Sequence, residues 1–345
     1  IDASQTVKGG TKIVEDTLSD GVVKGGSNEG YKIRYTLADG TTKRFYVKKY
    51  VDVAGSYPSG ATADAARHRV SGEVLADRLY NEIVTGSAPA SWYGQIDEGQ
   101  YAGIWKATDW EDELVQGIHV PMTHQYREKM ADGTYRIVQT YSEHPYGAAY
   151  SDVHDFITPE TLDLTVHTPM SDLVGDQMGT DMLIGNLDAV GFAGDNIGIN
   201  KMTGEVFRLD NGSAFHYRAQ GELKGGSYDY RNVDEITGFF DLNFEGNQAK
   251  TISMWRQFRS TFDDVEGGIG MAAELSRQTD RLLTARTANG GWAKWVRKQL
   301  PDAPEEDIHM FVDWLETRTQ KMAEQFGLTY NTGDDLIGEA LARTG

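Results

Sequence analysis

Residues 31 to 50 read YKIRYTL, ADGTT and KRFYVKKY, two stretches of alternating apolar and polar residues on either side of an Asp-Gly turn. Successive side chains of a strand point to opposite faces, and Asp-Gly supplies the backbone of a tight turn, so the segment predicts an antiparallel hairpin. A turn-rich stretch containing Pro58 then opens into RHRVSGEVLADRLYNEIV, residues 67 to 84. There Val74, Leu75, Leu79 and Ile83 recur at three- and four-residue spacing, which predicts an amphipathic helix. Strand-like pieces around SWYGQI and QYAGIWKA complete a mostly β region ending near Trp110.

A second Asp-Gly turn between alternating arms, within HVPMTHQYREKMADGTYRIVQTY at 119 to 141, reads as an inserted hairpin. Residues 159 to 184 read as helical, 197 to 217 as two short strands around KMTGE, and 250 to 345 as helices with Trp, Phe, Leu and Met on one face. A β-rich region followed by an α-rich one predicts an α+β architecture. The 345 residues suit two units: β-rich 1 to 112, and helical 113 to 345 with the hairpin near 119–141 inserted.

With 33 Lys and Arg against 52 Asp and Glu, the formal charge is −19. Sequence-independent nucleic-acid binding depends on Lys and Arg neutralising phosphates, so no nucleic-acid partner is expected. The chain has no cysteine, which excludes disulfides, thiolate nucleophiles and Cys-ligated metal centres. No stretch of 18 apolar residues occurs, so no membrane span is expected.

The densest cluster of chemically useful residues is DMLIGNLDAVGFAGDNIGINKMTGEVFRLDNGSAF, residues 181 to 215. It puts Asp188 on a loop after an apolar helix, Asn196 just before the strand IGI, and Asp210 at the end of the strand EVFRL. A hairpin would bring the last two together. Two carboxylates and an amide oxygen make a hard-oxygen set of the kind magnesium accepts when phosphates complete its coordination. Phosphoryl transfer uses such a set, one Asp orienting the attacking hydroxyl while the Asn and the other Asp hold the metal.

At these residues the sequence resembles the protein-kinase-like superfamily in its atypical branches, the HipA-type toxin kinases, phosphoinositide kinases and secretory-pathway kinases. It is most similar to kinase-like domains of phage head-associated and polyvalent bacterial proteins. The resemblance covers roughly residues 23 to 220 and implies a two-lobed kinase-like fold, with a β-rich N-lobe and a mostly helical C-lobe. By that resemblance GNLD carries the catalytic Asp188, GDNIGI the metal-binding Asn196 and RLDNGSAF the second metal ligand, Asp210. GGSNEGYKIRY looks like the phosphate-covering loop, with Gly25, Gly26 and Ser27. FYVKKY looks like the strand bearing the nucleotide lysine, and GEVLADRLY like the helix bearing its glutamate partner, Glu73. The implied activity is ATP- and magnesium-dependent phosphoryl transfer to a hydroxyl, the expected partner a protein substrate and the expected setting the cytoplasm, a host's cytoplasm or a phage particle. AMP transfer on the same fold and a non-catalytic pseudokinase or structural module are the alternatives.

The pattern departs from the family in places. Asn196 lies eight positions after Asp188, so the loop AVGFAGD must bulge, and Asp195 competes with Asn196 as ligand. Lys48 and Lys49 compete for one role. Alternation puts them on opposite faces, one in the cleft and the other facing solvent, and the aromatic-Val-Lys pattern favours Lys48. Taken singly, Asp210-Asn211-Gly212 is ordinary turn chemistry, and the order of five elements carries the reading. The histidines show no metal spacing and read as solvated or locally hydrogen-bonded. No G-x-S-x-G elbow occurs. Trp255, Trp292, Trp295 and Trp314 read as core rather than as a stacking platform.

Overall fold

The computed structural model describes residues 11–15, 30–36, 42–50, 63–96, 103–109, 114–116, 122–129, 135–142, 177–186, 188–189, 196–200, 206–218, 223–224, 228–236 and 270–331. Strands β1 (Thr11–Glu15), β2 (Gly30–Thr36), β3 (Thr42–Lys49), β4 (Ser91–Ile96) and β5 (Gly103–Asp109) form a five-stranded sheet in the order β1-β2-β3-β5-β4. Every neighbouring pair is antiparallel. The first predicted hairpin is β2 and β3, closed by the pairing of Thr36 with Thr42. Helix α1 (Ala63–Ile83) joins β3 to β4.

The register of β3 on β5 sets Lys48 directly opposite Lys106, so both side chains leave the same face of the sheet. On that face Tyr50 and Ile104 pack against Ala66, Val70 and Val74 of α1. The expectation that the second lysine faces solvent is corrected here. Lys49 is only 8% exposed, its ammonium lying 5.6 Å from the centre of the Trp105 ring. A lysine stem is four methylenes long and covers an indole well, so alternation fixed its face without fixing its exposure.

Helix α1 also differs from its reading. It begins at Ala63 rather than at 67, and its polar stripe is as buried as its apolar one, with Glu73 and Asp77 each 1% exposed. Buried carboxylates persist only where cations and donors meet them. Both requirements are satisfied by the sheet beneath.

Beyond β5, strands β6 (Leu114–Gln116), β9 (Ile197–Asn200) and β10 (Val206–Arg208) form a three-stranded sheet in the order β10-β9-β6. The expected strands around KMTGE are β9 and β10; β6 was not foreseen. The second hairpin is present as β7 (Met122–Lys129) paired with β8 (Tyr135–Ser142). Of the helix expected over 159 to 184, α2 (Met178–Leu183) is described and the rest lies outside the described residues. Helices α3 (Gly270–Ala288), α4 (Trp292–Gln299) and α5 (Glu305–Gln325) follow. Trp292, Trp295 and Trp314 are core, each at most 1% exposed; Trp255 lies outside the described residues. Their cluster also takes in Leu79 of α1, Met182 of α2 and Phe215.

The short helix α2 is fixed at its C-terminal end by distant side chains. The last carbonyls of a helix have no partner within it, and here Trp314 Nε1 donates to Leu183 O at 2.9 Å. Arg318 Nε donates to the same oxygen at 2.9 Å, and Arg318 Nη2 donates to Met182 O. The guanidinium charge is met by Glu235 at 2.8 Å, both side chains fully buried. Lys224 Nζ adds bonds to Gly185 O at 2.6 Å and Ser213 O at 2.7 Å. Gly185 has φ of 60°, and a Cβ there would come 2.5 Å from the Tyr228 hydroxyl, so the turn after α2 needs glycine for its conformation and for its space.

Candidate functional site

Lys48 Nζ lies 2.9 Å from Asp210 Oδ2 and 3.8 Å from Glu73 Oε2. Lys48 and Asp210, 162 positions apart in the chain, thus share one ion-pair cluster with Glu73. Tyr50 OH, two residues on from Lys48 and on the same face, donates to Glu73 Oε2. Arg69, one turn before Glu73, places its Nε 3.9 Å from Glu73 Oε1. Lys106 Nζ lies 3.5 Å from Glu73 Oε2 and 2.7 Å from Asp77 Oδ2. Glu73, Asp77 and Asp210 therefore face Lys48, Lys106 and Arg69, three charges of each sign.

The cluster grades from interior to opening. Glu73 is 1% exposed at its side chain, Lys48 14% and Asp210 42%. Burial works to lower the pKa of Lys48, but Asp210 and Glu73 outweigh it and hold the ammonium above lysine's ordinary value. Burial works to raise Asp210, yet Lys48 and the Gly212 N–H hold its carboxylate well below the usual range. Both groups are charged throughout the physiological range. Lys106 is also held charged, Asp77 and Glu73 overcoming its burial.

Asp210 is positioned by the residues on either side of it. Before it, Arg208 donates from Nε to Asp181 Oδ1 at 3.0 Å and from Nη2 to Asp181 Oδ2 at 2.6 Å, which ties the end of β10 to α2. After it, Asn211 Nδ2 donates to Asp77 Oδ1 at 2.6 Å, and Gly212 N–H donates to Asp210 Oδ1 at 3.1 Å. A Cβ at Gly212 would sit 2.8 Å from Glu73 Oε1, so the loop approaches α1 as closely as it does because residue 212 has no side chain.

The other two residues of the expected set meet nearby. Asn196 Nδ2 donates to Asp188 O at 2.6 Å, and Leu209 N–H donates to Asn196 O at 2.8 Å, so Asn196 touches the strand end that carries Asp210. Asn196 Oδ1 and the Asp210 carboxylate are hard oxygen donors of the type magnesium takes. Among the described residues no group of three or more His, Asp or Glu side chains is arranged to hold a metal. Two protein donors suit an ion whose remaining ligands are phosphate oxygens and water. Gly25, Gly26 and Ser27, and the competitor Asp195, lie outside the described residues.

Lys106, Asp77 and Asn211 were not singled out in the sequence. The signals were weak but present: a lysine inside the apolar strand GIWKATD, and a second carboxylate four residues after Glu73 on one helix face. His68 was missed too. It is 5% exposed, stacked on Phe311 with ring centres 4.5 Å apart, and its Nδ1 lies 3.0 Å from Asp307 Oδ1, whereas the histidines read as solvated or locally bonded.

Among the described residues no helix is long and apolar enough to cross a membrane. No protein-family profile matches the chain, and no curated protein matches it either. Among solved structures it is similar to the MAP kinase LmaMPK10 from Leishmania major, at 10% identity and a TM-score of 0.22, over 94% of this chain and 81% of that one. So loose a superposition carries no weight, and the site's own geometry has to carry the functional reading.

Proposed function

We propose that the chain is a two-lobed, kinase-like phosphotransferase that uses ATP and magnesium, its lobes dividing near residue 112. The observation that carries the reading is the bridge from Lys48 on the third strand to Glu73 on the following helix and to Asp210 at the end of β10. In protein kinases the nucleotide lysine sits on the third strand and pairs with a glutamate of the next helix, and an aspartate and an asparagine hold the metal. Five residues of the required types occur here in that order, and two hydrogen bonds draw Asn196 towards both Asp188 and the Asp210 strand end.

In this reading Lys48 grips the α- and β-phosphates, and Glu73 keeps its ammonium directed at them. Asp210 and Asn196 hold the magnesium, which neutralises charge on the phosphates. Asp188 orients the acceptor hydroxyl and takes its proton, and Gly25, Gly26 and Ser27 cover the phosphates. The acceptor hydroxyl belongs to a protein; as its oxygen bonds to the γ-phosphorus the bond to the β,γ-bridging oxygen breaks, and the products are the phosphate ester and ADP.

The test is thermal melting with nucleotide. A ligand confined to the native state adds about 2.7 kcal/mol at a hundredfold excess over Kd, so ATP with magnesium should raise Tm by several degrees, and either alone by less. No shift at millimolar ATP and magnesium ends this reading. The mass added to an acceptor protein then separates phosphoryl from AMP transfer.

A further inference from the structure

From the inner end of the ion-pair cluster runs a chain of four polar side chains, each on a different element and each buried: Lys106 on β5, Asp77 on α1, Asn211 after β10 and Asn186 after α2. Their exposures are 2%, 1%, 1% and 0%. Lys106 Nζ meets Asp77 Oδ2 at 2.7 Å, Asn211 Nδ2 donates to Asp77 Oδ1 at 2.6 Å, and Asn186 Nδ2 donates to Asn211 Oδ1 at 2.9 Å. Asn211 donates and accepts in the same chain, which a side-chain amide can do and a carboxylate cannot.

Apolar residues would fill this space at less cost, since desolvating a charged pair offsets most of its attraction. What the polar chain supplies is direction. Each member also neighbours one residue of the proposed site. Lys106 is opposite Lys48 in the sheet register, Asp77 is one helical turn after Glu73, Asn211 follows Asp210, and Asn186 precedes Asp188 by two residues.

From this juxtaposition we infer that Lys106, Asp77, Asn211 and Asn186 are positioning residues, a buried relay that sets Lys48, Glu73, Asp188 and Asp210 in register for magnesium-nucleotide. The inference rests on the nucleotide reading above. Lys106 acts on Glu73 directly, its Nζ 3.5 Å from Glu73 Oε2, and on Lys48 through the strand pairing, while Asp77, Asn211 and Asn186 act through the helix turn and the backbone that join each to its neighbour.

An exchange of the two central residues tests it. In Asn211→Asp two carboxylates meet, and the bond to Asp77 is lost. In Asp77→Asn one oxygen must serve both Asn211 and Lys106. In the double variant D77N/N211D the bonds return with their polarity reversed: the amide at 77 donates to the carboxylate at 211, which still accepts from Asn186, while Lys106 donates to the amide oxygen. Kd for ATP with magnesium is measured by calorimetric titration on protein verified as folded, with Tm recorded alongside. Each single variant should weaken binding by about tenfold to a hundredfold, and the exchange should bring it back to within about threefold of the wild type. A purely structural role would move Tm and leave Kd alone. The inference is overturned by single variants that fold and bind as the wild type does, or by an exchange variant that fails to fold or binds no better than the singles. Wild-type protein that binds no nucleotide overturns the nucleotide reading itself, a result separable from the others because it appears before any substitution is made.

Discussion

Lys48 and Lys49 are neighbours in sequence with similar intrinsic chemistry, and the pleat of one strand sends them to different surroundings. Lys48 joins Glu73 and Asp210, while Lys49 lies over Trp105. Lys48→Met should abolish the magnesium-ATP melting shift, or raise Kd by about tenfold to a hundredfold, because the phosphates lose a charge-assisted partner. Lys49→Met should keep nucleotide binding and alter Tm only slightly, the thioether covering the indole much as the lysine stem does. A melting series of both variants with and without ligand checks this, and a shift that survives in Lys48→Met but not in Lys49→Met would transfer the role. At this scale the sequence was readable where one residue's neighbours decide the outcome. Alternation chose the face of Lys48, but no local pattern announced that Asn211 would meet Asp77, 134 positions away.

Elements held by nearby chain were legible, and those held by distant chain were not. Both Asp-Gly hairpins occur where alternation put them, because the turn and the two arms form one local unit. Strand β6 went unseen: three residues carry little period, and its pairing with β9 closes a long loop. Helix α1 was found as an amphipathic helix, but the depth of its polar stripe beyond Glu73 was not legible, since a charged stripe reads the same whether water or buried cations face it. Helix α2 shows the converse dependence. Six residues make a marginal helix alone, and Arg318 and Trp314 complete it by capping its carbonyls. Arg318→Met should therefore strand Glu235 without its cation and leave carbonyls of α2 short of donors, at a cost of about 3–5 kcal/mol. The readout is Tm, lowered by roughly 4–7 °C; a change of only a degree or less would mean that the buried pair contributes almost nothing.

For the molecule as a whole, His216 couples stability to acid, because α1, the loop after β10 and α5 meet around it. Its Nδ1 lies 3.4 Å from His68 Nε2, His68 contacts Asp307, and its ring packs edge-on against Trp314 at 4.8 Å. Burial, His68 and Lys224 lower its pKa from 6.5 to about 3, against weaker opposing pulls from Asp313 and Asp307. The unfolded chain binds a proton below pH 6.5 that the folded chain refuses, so stability falls as pH drops from 6.5 towards 3. His216→Phe should flatten part of that slope in denaturant titrations across this range, and unchanged slopes would show that the ring titrates freely in the fold. The grip of Arg318 on α2 has a consequence in time as well. The guanidinium and the carbonyl of Met182 are 136 positions apart, and a ribosome adds roughly 5–20 residues per second, so the capping group emerges on the order of ten seconds after the helix it completes. A ribosome stalled short of Arg318 would hold a chain whose helix α2 still lacks the donors that close its C-terminal end, so the turn leading to Asp188 is among the last parts of the protein to acquire its full set of bonds.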